Sequence, residues 1–142
     1  MAFKNILVAF DGSDLSIKAL NLAADIVRLN SDTQLDVVYA APVPAFAVTE
    51  ASSMQTVIDS MAGDGEAVIS LAQNALDDLG DRVKTKLVRG VYPADEILEI
   101  IESGDYDMVV MGSRGLSGIK EYIGSVSHKV LHGSSVPVLI AK

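Results

Sequence analysis

Apolar residues along this chain fall in short runs separated by longer stretches in which they recur every three or four positions. Ile6 to Phe10 is a continuous apolar run stopped by Asp11, Gly12 and Ser13, the signature of a buried strand ending in a turn. From about Ser13 the apolar positions become Ala19, Leu20, Ala23, Ile26 and Val27, one face of a helix for which Ser13 or Asp14 is available as N-cap. Leu35 to Ala41 is a second strand, and the stretch from Pro42 through Pro44 to about Ser53, rich in Ala and Ser, is expected to be a long loop. A helical stripe then runs from Met54 through Val57, Ile58, Met61, Val68, Ala72 and Leu76 to Leu79. It is interrupted by Gly63, Asp64 and Gly65, where a kink or split is expected. Alternation of Val83, Thr85 and Leu87 predicts a half-exposed strand over Arg82 to Arg89. Pro93 suits the first position of a third helix with Ala94, Ile97, Leu98 and Ile101 as its apolar face. Asp107 to Met111 reads as a fourth strand, Ser125 to His132 as a fourth helix, and Val136 to Ala141 as a fifth strand.

Strand and helix therefore alternate along the whole chain. That order implies an α/β fold, a single five-stranded, doubly wound parallel sheet with helices on both faces, because parallel neighbours need right-handed crossovers. At 142 residues the chain is read as one domain, 1–142. Ligands in such sheets bind beyond the carboxyl ends of the strands, where the strand order reverses. An order 3-2-1-4-5 makes strands one and four neighbours, so Asp11 and Gly112 would face each other across one crevice.

The connection after strand four carries the densest chemistry. Gly112-Ser113-Arg114-Gly115 leaves an apolar strand, and Gly124-Ser125-Val126-Ser127 enters a helix. In that setting glycines permit close backbone approach to a ligand and positive φ, while the helix N-terminus attracts an anion. The segment reads as a polyphosphate cradle. Charge agrees: the chain carries a net −8, yet from residue 112 onward Arg114, Lys120, Lys129 and Lys142 stand against Glu121 alone. The overall acidity argues against nucleic-acid or anionic-membrane partners. Cysteine is absent, which removes disulfides and thiolate chemistry and fits a reducing cytoplasm. No apolar run reaches the roughly 20 residues of a membrane span, and the N-terminus enters a strand rather than an export signal. The expected location is cytoplasmic.

Ile6 to Ser13 at one end, and Met111 to Leu116, Gly124 to Ser127 and Val136 to Ile140 at the other, together resemble the universal stress protein family. Gly90 with Pro93 and Ala94 extends the resemblance into the third crossover, so that it covers essentially the whole chain. Members that bind ATP share a pattern of Gly, two residues, Gly, nine residues, then Gly and Ser or Thr. Here eight residues, 116 to 123, separate Gly115 from Gly124, one fewer than that pattern, and the missing position is assigned to the segment Ser117 to Tyr122. The resemblance implies that Asp11 contacts the adenosine, that backbone near Ala9, Phe10 and Ala40 lines the base pocket, and that Met111 packs beside the nucleoside. It implies further that Gly112, Gly115, Gly124, Ser125, Val126 and Ser127 hold ribose and phosphates, with Mg²⁺ or Mn²⁺ accompanying ATP. Arg114 is added from its charge alone.

Plainer roles compete at several of these positions. Asp11 could cap the helix that follows it, and Ser125 or Ser127 could do no more than cap theirs. His128 and His132, four apart, share a helix face but have no third partner at metal-ligand spacing, so no metal site is assigned. The leading reading is a nucleotide-binding regulatory module acting in stress response through nucleotide-dependent conformation or partner binding. A slow ATPase or phosphotransferase is the alternative. Arg114 and Lys120 are available to it, but no base is recognisable and no catalytic residue is assigned. A third reading is an interaction protein that has lost the ligand. The family resemblance also implies a homodimer, through the apolar edge strand 136–141.

Overall fold

A computed structural model describes residues 3–43, 64–115 and 123–142. Five parallel strands, β1 (Asn5–Ala9), β2 (Gln34–Pro42), β3 (Val83–Gly90), β4 (Met108–Gly112) and β5 (Val138–Ala141), form one sheet in the order β3-β2-β1-β4-β5. The helices are α1 (Asp14–Leu29), α2 (64–75), α3 (Pro93–Ser103) and α4 (Ser125–Gly133), with a 3-10 helix at Asp77–Arg82. Val8 at the sheet centre pairs with Val37 on one side and Val110 on the other.

Strand alternation divides the core into two layers. Ile6, Val8, Phe10, Leu35, Val37 and Val110 face α1 and α2, meeting Ala19, Leu20, Ala23, Val27, Ala72 and Leu76. Leu7, Ala9, Val38, Val109 and Met111 face α3 and α4, meeting Ala94, Ile97, Ile101 and Val130. β1 and β4 are buried on both faces, which is why they read as unbroken apolar runs rather than alternating ones. Among the described residues no helix is long and apolar enough to cross a membrane.

Several boundaries differ from expectation for local reasons. Gly65 lies in the first described turn of α2, and Gly63, the other glycine of the expected break, lies outside the described residues. A Cβ at Gly65 would come within 2.9 Å of Leu87 Cδ2 and 3.2 Å of Arg89 Nη2, so the glycine lets α2 lie close on β3. The α-helix stops at residue 75 instead of running to Leu79. The 3-10 turns that follow bury Leu79 and use Gly80 at φ 57° to enter β3. β5 begins at Val138, not Val136, because Pro137 has no N–H to give; its carbonyl accepts from Val109 N–H at 2.9 Å. The loop expected to about Ser53, beyond its first two residues, the Met54–Met61 stripe and the Ser117–Tyr122 segment lie outside the described residues.

The amino ends of the strands are tied together. Asp107 Oδ2 accepts from the N–H groups of Lys4 at 2.7 Å and Asn5 at 2.9 Å, and Tyr106 donates its hydroxyl to Asp36 Oδ2 at 2.7 Å. The carboxyl ends instead open into a cleft.

Candidate functional site

The sheet's order reverses between β1 and β4, and their last paired residues, Ala9 and Met111, lie side by side. Above them is a cleft of about 560 Å³, within the range of small-molecule sites. All twelve residues singled out from the sequence line it: Ala9, Phe10, Asp11, Ala40, Met111, Gly112, Arg114, Gly115, Gly124, Ser125, Val126 and Ser127. Ser16, Val38, Tyr39, Pro42, Pro93, Ile97 and Ile123 complete the lining. Val38, Tyr39 and Pro42 come from the register of β2, Pro93 and Ile97 from the approach of α3, Ser16 from the first turn of α1 and Ile123 from the lead-in to α4; only the assembled sheet brings them together.

One wall is the turn from β1 into α1. Phe10 N–H donates to Val38 O at 2.8 Å, carrying the chain beyond β1 along β2. Gly12 at φ 82° then reverses it, a conformation that costs little only for glycine. Asp11 does not cap α1; Ser13 does, its side chain accepting from Ser16 N–H. Asp11 Oδ1 accepts from Ser13, while Oδ2 faces Gly115, where a Cβ would stand 2.5 Å from it. Tyr39 lies in the same wall. Burial raises its phenol pKa, the negative charges of Asp11 and Asp64 add to the effect, and Arg89 opposes it. It stays a protonated hydroxyl.

The opposite wall is the glycine segment. Gly124 N–H donates to Ser113 O at 2.6 Å, and Ser127 Oγ donates to Gly112 O at 2.7 Å. These two bonds fasten the start of α4 to the end of β4. Ser127 is buried and its hydroxyl hydrogen is committed to Gly112, so it braces the wall rather than capping α4. The N-cap is Gly124, with no side-chain cap bond. The first N–H groups of α4, on Ser125, Val126 and Ser127, have no intrahelical acceptor, and all three residues border the cleft.

Gly112, Gly115 and Gly124 serve close approach, not positive φ; among the described glycines only Gly12 and Gly80 are left-handed. A Cβ at Gly112 would meet the Leu15 backbone carbon at 2.9 Å, and one at Gly124 would meet Arg114 Cα at 3.1 Å. His128 and His132 meet in a tilted contact on exposed turns of α4, with ring centroids 4.4 Å apart and planes at 56°. Among the described residues no group of three or more His, Cys, Asp or Glu could hold a metal ion.

The sequence model of the universal stress protein family matches residues 2–142. The protein belongs to the universal stress protein family. YxiE of Bacillus subtilis, a universal stress protein, is 33% identical over 99% of this chain and 99% of its own. Among solved structures, MJ0577 of Methanocaldococcus jannaschii superposes with a TM-score of 0.87 at 25% identity, covering 100% of this chain and 97% of that one. A universal stress protein in complex with cAMP superposes at 0.73 and 26% identity, covering 99% and 98% of the two chains. The family's doubly wound sheet is the fold described above.

Proposed function

We propose that this universal stress protein is a regulatory module that binds an adenine nucleotide, ATP with Mg²⁺ or Mn²⁺, in the β1–β4 cleft, with occupancy setting its conformation or partner affinity in stress response. The observation carrying this reading is the polarity of the cleft's two walls. One offers the Asp11 carboxylate oxygen, an acceptor for a ribose hydroxyl or the exocyclic amine of adenine. The other offers the first N–H groups of α4, which have no acceptor within the helix and border the cleft; they suit phosphate oxygens. Ala9, Val38, Ala40, Met111 and Ile97 supply an apolar floor between them, as a purine ring requires. The relative solved with cAMP supports an adenine nucleotide as the ligand class. Cations placed by ATP would neutralise phosphate charge. Arg114, on the cleft rim, is assigned the same part.

Calorimetric titration of nucleotide-stripped protein with AMP and with ATP plus Mg²⁺ tests this directly. Ser125 is the first residue of α4, and Gly124 before it has φ −68° and ψ 158°, a conformation a residue preceding proline adopts readily. Ser125→Pro therefore deletes one cleft N–H without breaking the helix, and Ser125→Ala deletes only the hydroxyl. The proline variant is expected to weaken ATP about tenfold or more, the loss of one hydrogen bond to a charged group, while leaving adenosine nearly unchanged. Absence of heat with either nucleotide in the wild type would refute the reading. We also propose a homodimer formed through β5, which is an edge strand with no outer neighbour among the described residues.

A further inference from the structure

Ser13 makes more hydrogen bonds than its position at the helix end requires. Its Oγ accepts from Ser16 N–H at 3.3 Å, which is all that capping α1 needs. Its own N–H donates to Asp11 Oδ1 at 2.9 Å. The hydroxyl hydrogen, surplus to capping, is donated to that same Oδ1. Ser13 is 6% exposed, so water does not compete well for these bonds. Ser16 completes the turn, accepting from Asp11 N–H at 3.3 Å and donating to Ser13 O at 2.9 Å.

The consequence falls on Asp11. The carboxylate torsion of an aspartate is broad and weakly defined by itself. Here two donors from one residue converge on Oδ1 and set the plane of the group, so Oδ2 is left directed at Gly115 and the cleft. We infer that Ser13 is a positioning residue for the nucleotide site, orienting Asp11 so that Oδ2 meets an O–H or N–H donor of the nucleoside. The inference rests on the adenine-nucleotide reading for its functional meaning. Ser13 itself touches no ligand in it, being absent from the cleft lining.

Two measurements decide it. The first is a double-mutant cycle: AMP affinity of wild type, Ser13→Ala, Asp11→Ala and the double variant, with thermal midpoints recorded for each. Ser13→Ala is expected to weaken AMP about fivefold to tenfold in the wild-type background and to have no effect on affinity in the Asp11→Ala background, since residues acting as a unit are not additive. Ser13→Thr, which keeps the hydroxyl, is expected to restore affinity. A serine that only caps α1 would lower the thermal midpoint and change affinity by the same factor in both backgrounds, and that result overturns the proposal. The second is the ligand-free crystal structure of Ser13→Ala, in which the Asp11 carboxylate is expected to leave its orientation toward Gly115. If the carboxylate keeps its orientation, the proposal fails. Should the wild type bind no AMP, the nucleotide reading falls, and the crystal structure alone then decides whether Ser13 orients Asp11.

Discussion

A methyl group at Gly112 would stand 2.9 Å from the Leu15 backbone carbon and from Leu15 Cβ, in the first turn of α1. Neither can move unless the helix lifts off β4. Gly112→Ala is therefore expected to cost about 1–3 kcal/mol, the usual range for overpacking, seen as a lower urea midpoint. Gly65→Ala makes the informative contrast. Its clashes are with the tips of Leu87 and Arg89, which can swing aside, and alanine gains up to about 1 kcal/mol in helix propensity; its urea midpoint is expected to change little. Gly115 differs again, since the group it makes room for is the Asp11 carboxylate. The sequence marked Gly65 as a helix interruption and Gly112 and Gly115 as a ligand cradle, but not what each makes room for, because that is decided by a neighbour far along the chain. Asp11 and the α4 N-terminus were legible from local motif and position. Ser13 was legible only as a cap, since nothing in its neighbourhood tells where a hydroxyl hydrogen points.

At the scale of elements, the strands were the easiest features to read, because β1 and β4 are buried on both faces and must be continuously apolar. Boundaries were harder where a tertiary contact overrides the local pattern: the 3-10 turns after α2 and the late start of β5. The amino-end ties between strands make a pH prediction. Asp107 has its carboxyl pKa lowered, first by the Asn5 N–H and then by that of Lys4. A depressed folded pKa contributes stability that is complete above the unfolded value near about 4 and is lost as pH falls through the folded value. Tyr106 works in the opposite sense. Burial, then the bond to Asp36 and its charge, raise its phenol pKa. Its contribution is complete below the unfolded value near about 10 and disappears as pH rises through the folded value. Thermal midpoints across pH should fall at both extremes, with Asp107→Asn flattening the acid limb and Tyr106→Phe the alkaline one. Variants that leave both limbs unchanged would show that these ties do not couple to folding.

For the whole molecule, the parallel sheet gives its two ends different work: the amino ends are bonded together and the carboxyl ends hold the cleft. Among the described residues the edge strands of the sheet are β3 and β5. β3 presents Lys84 and Lys86 as exposed residues, a charge pattern that discourages pairing, whereas β5 is Val138, Leu139, Ile140 and Ala141. Sedimentation at micromolar concentration is expected to give a dimer, and a monomer there would refute pairing through β5. The bonds from Gly124 to Ser113 and from Ser127 to Gly112 carry one more consequence. They hem both ends of the glycine segment to the same strand, so the position of α4 is set at the seam and not by a residue count. The eight residues between Gly115 and Gly124 thus bridge two points whose separation is already fixed, and the leading N–H groups of α4 keep their place beside the cleft.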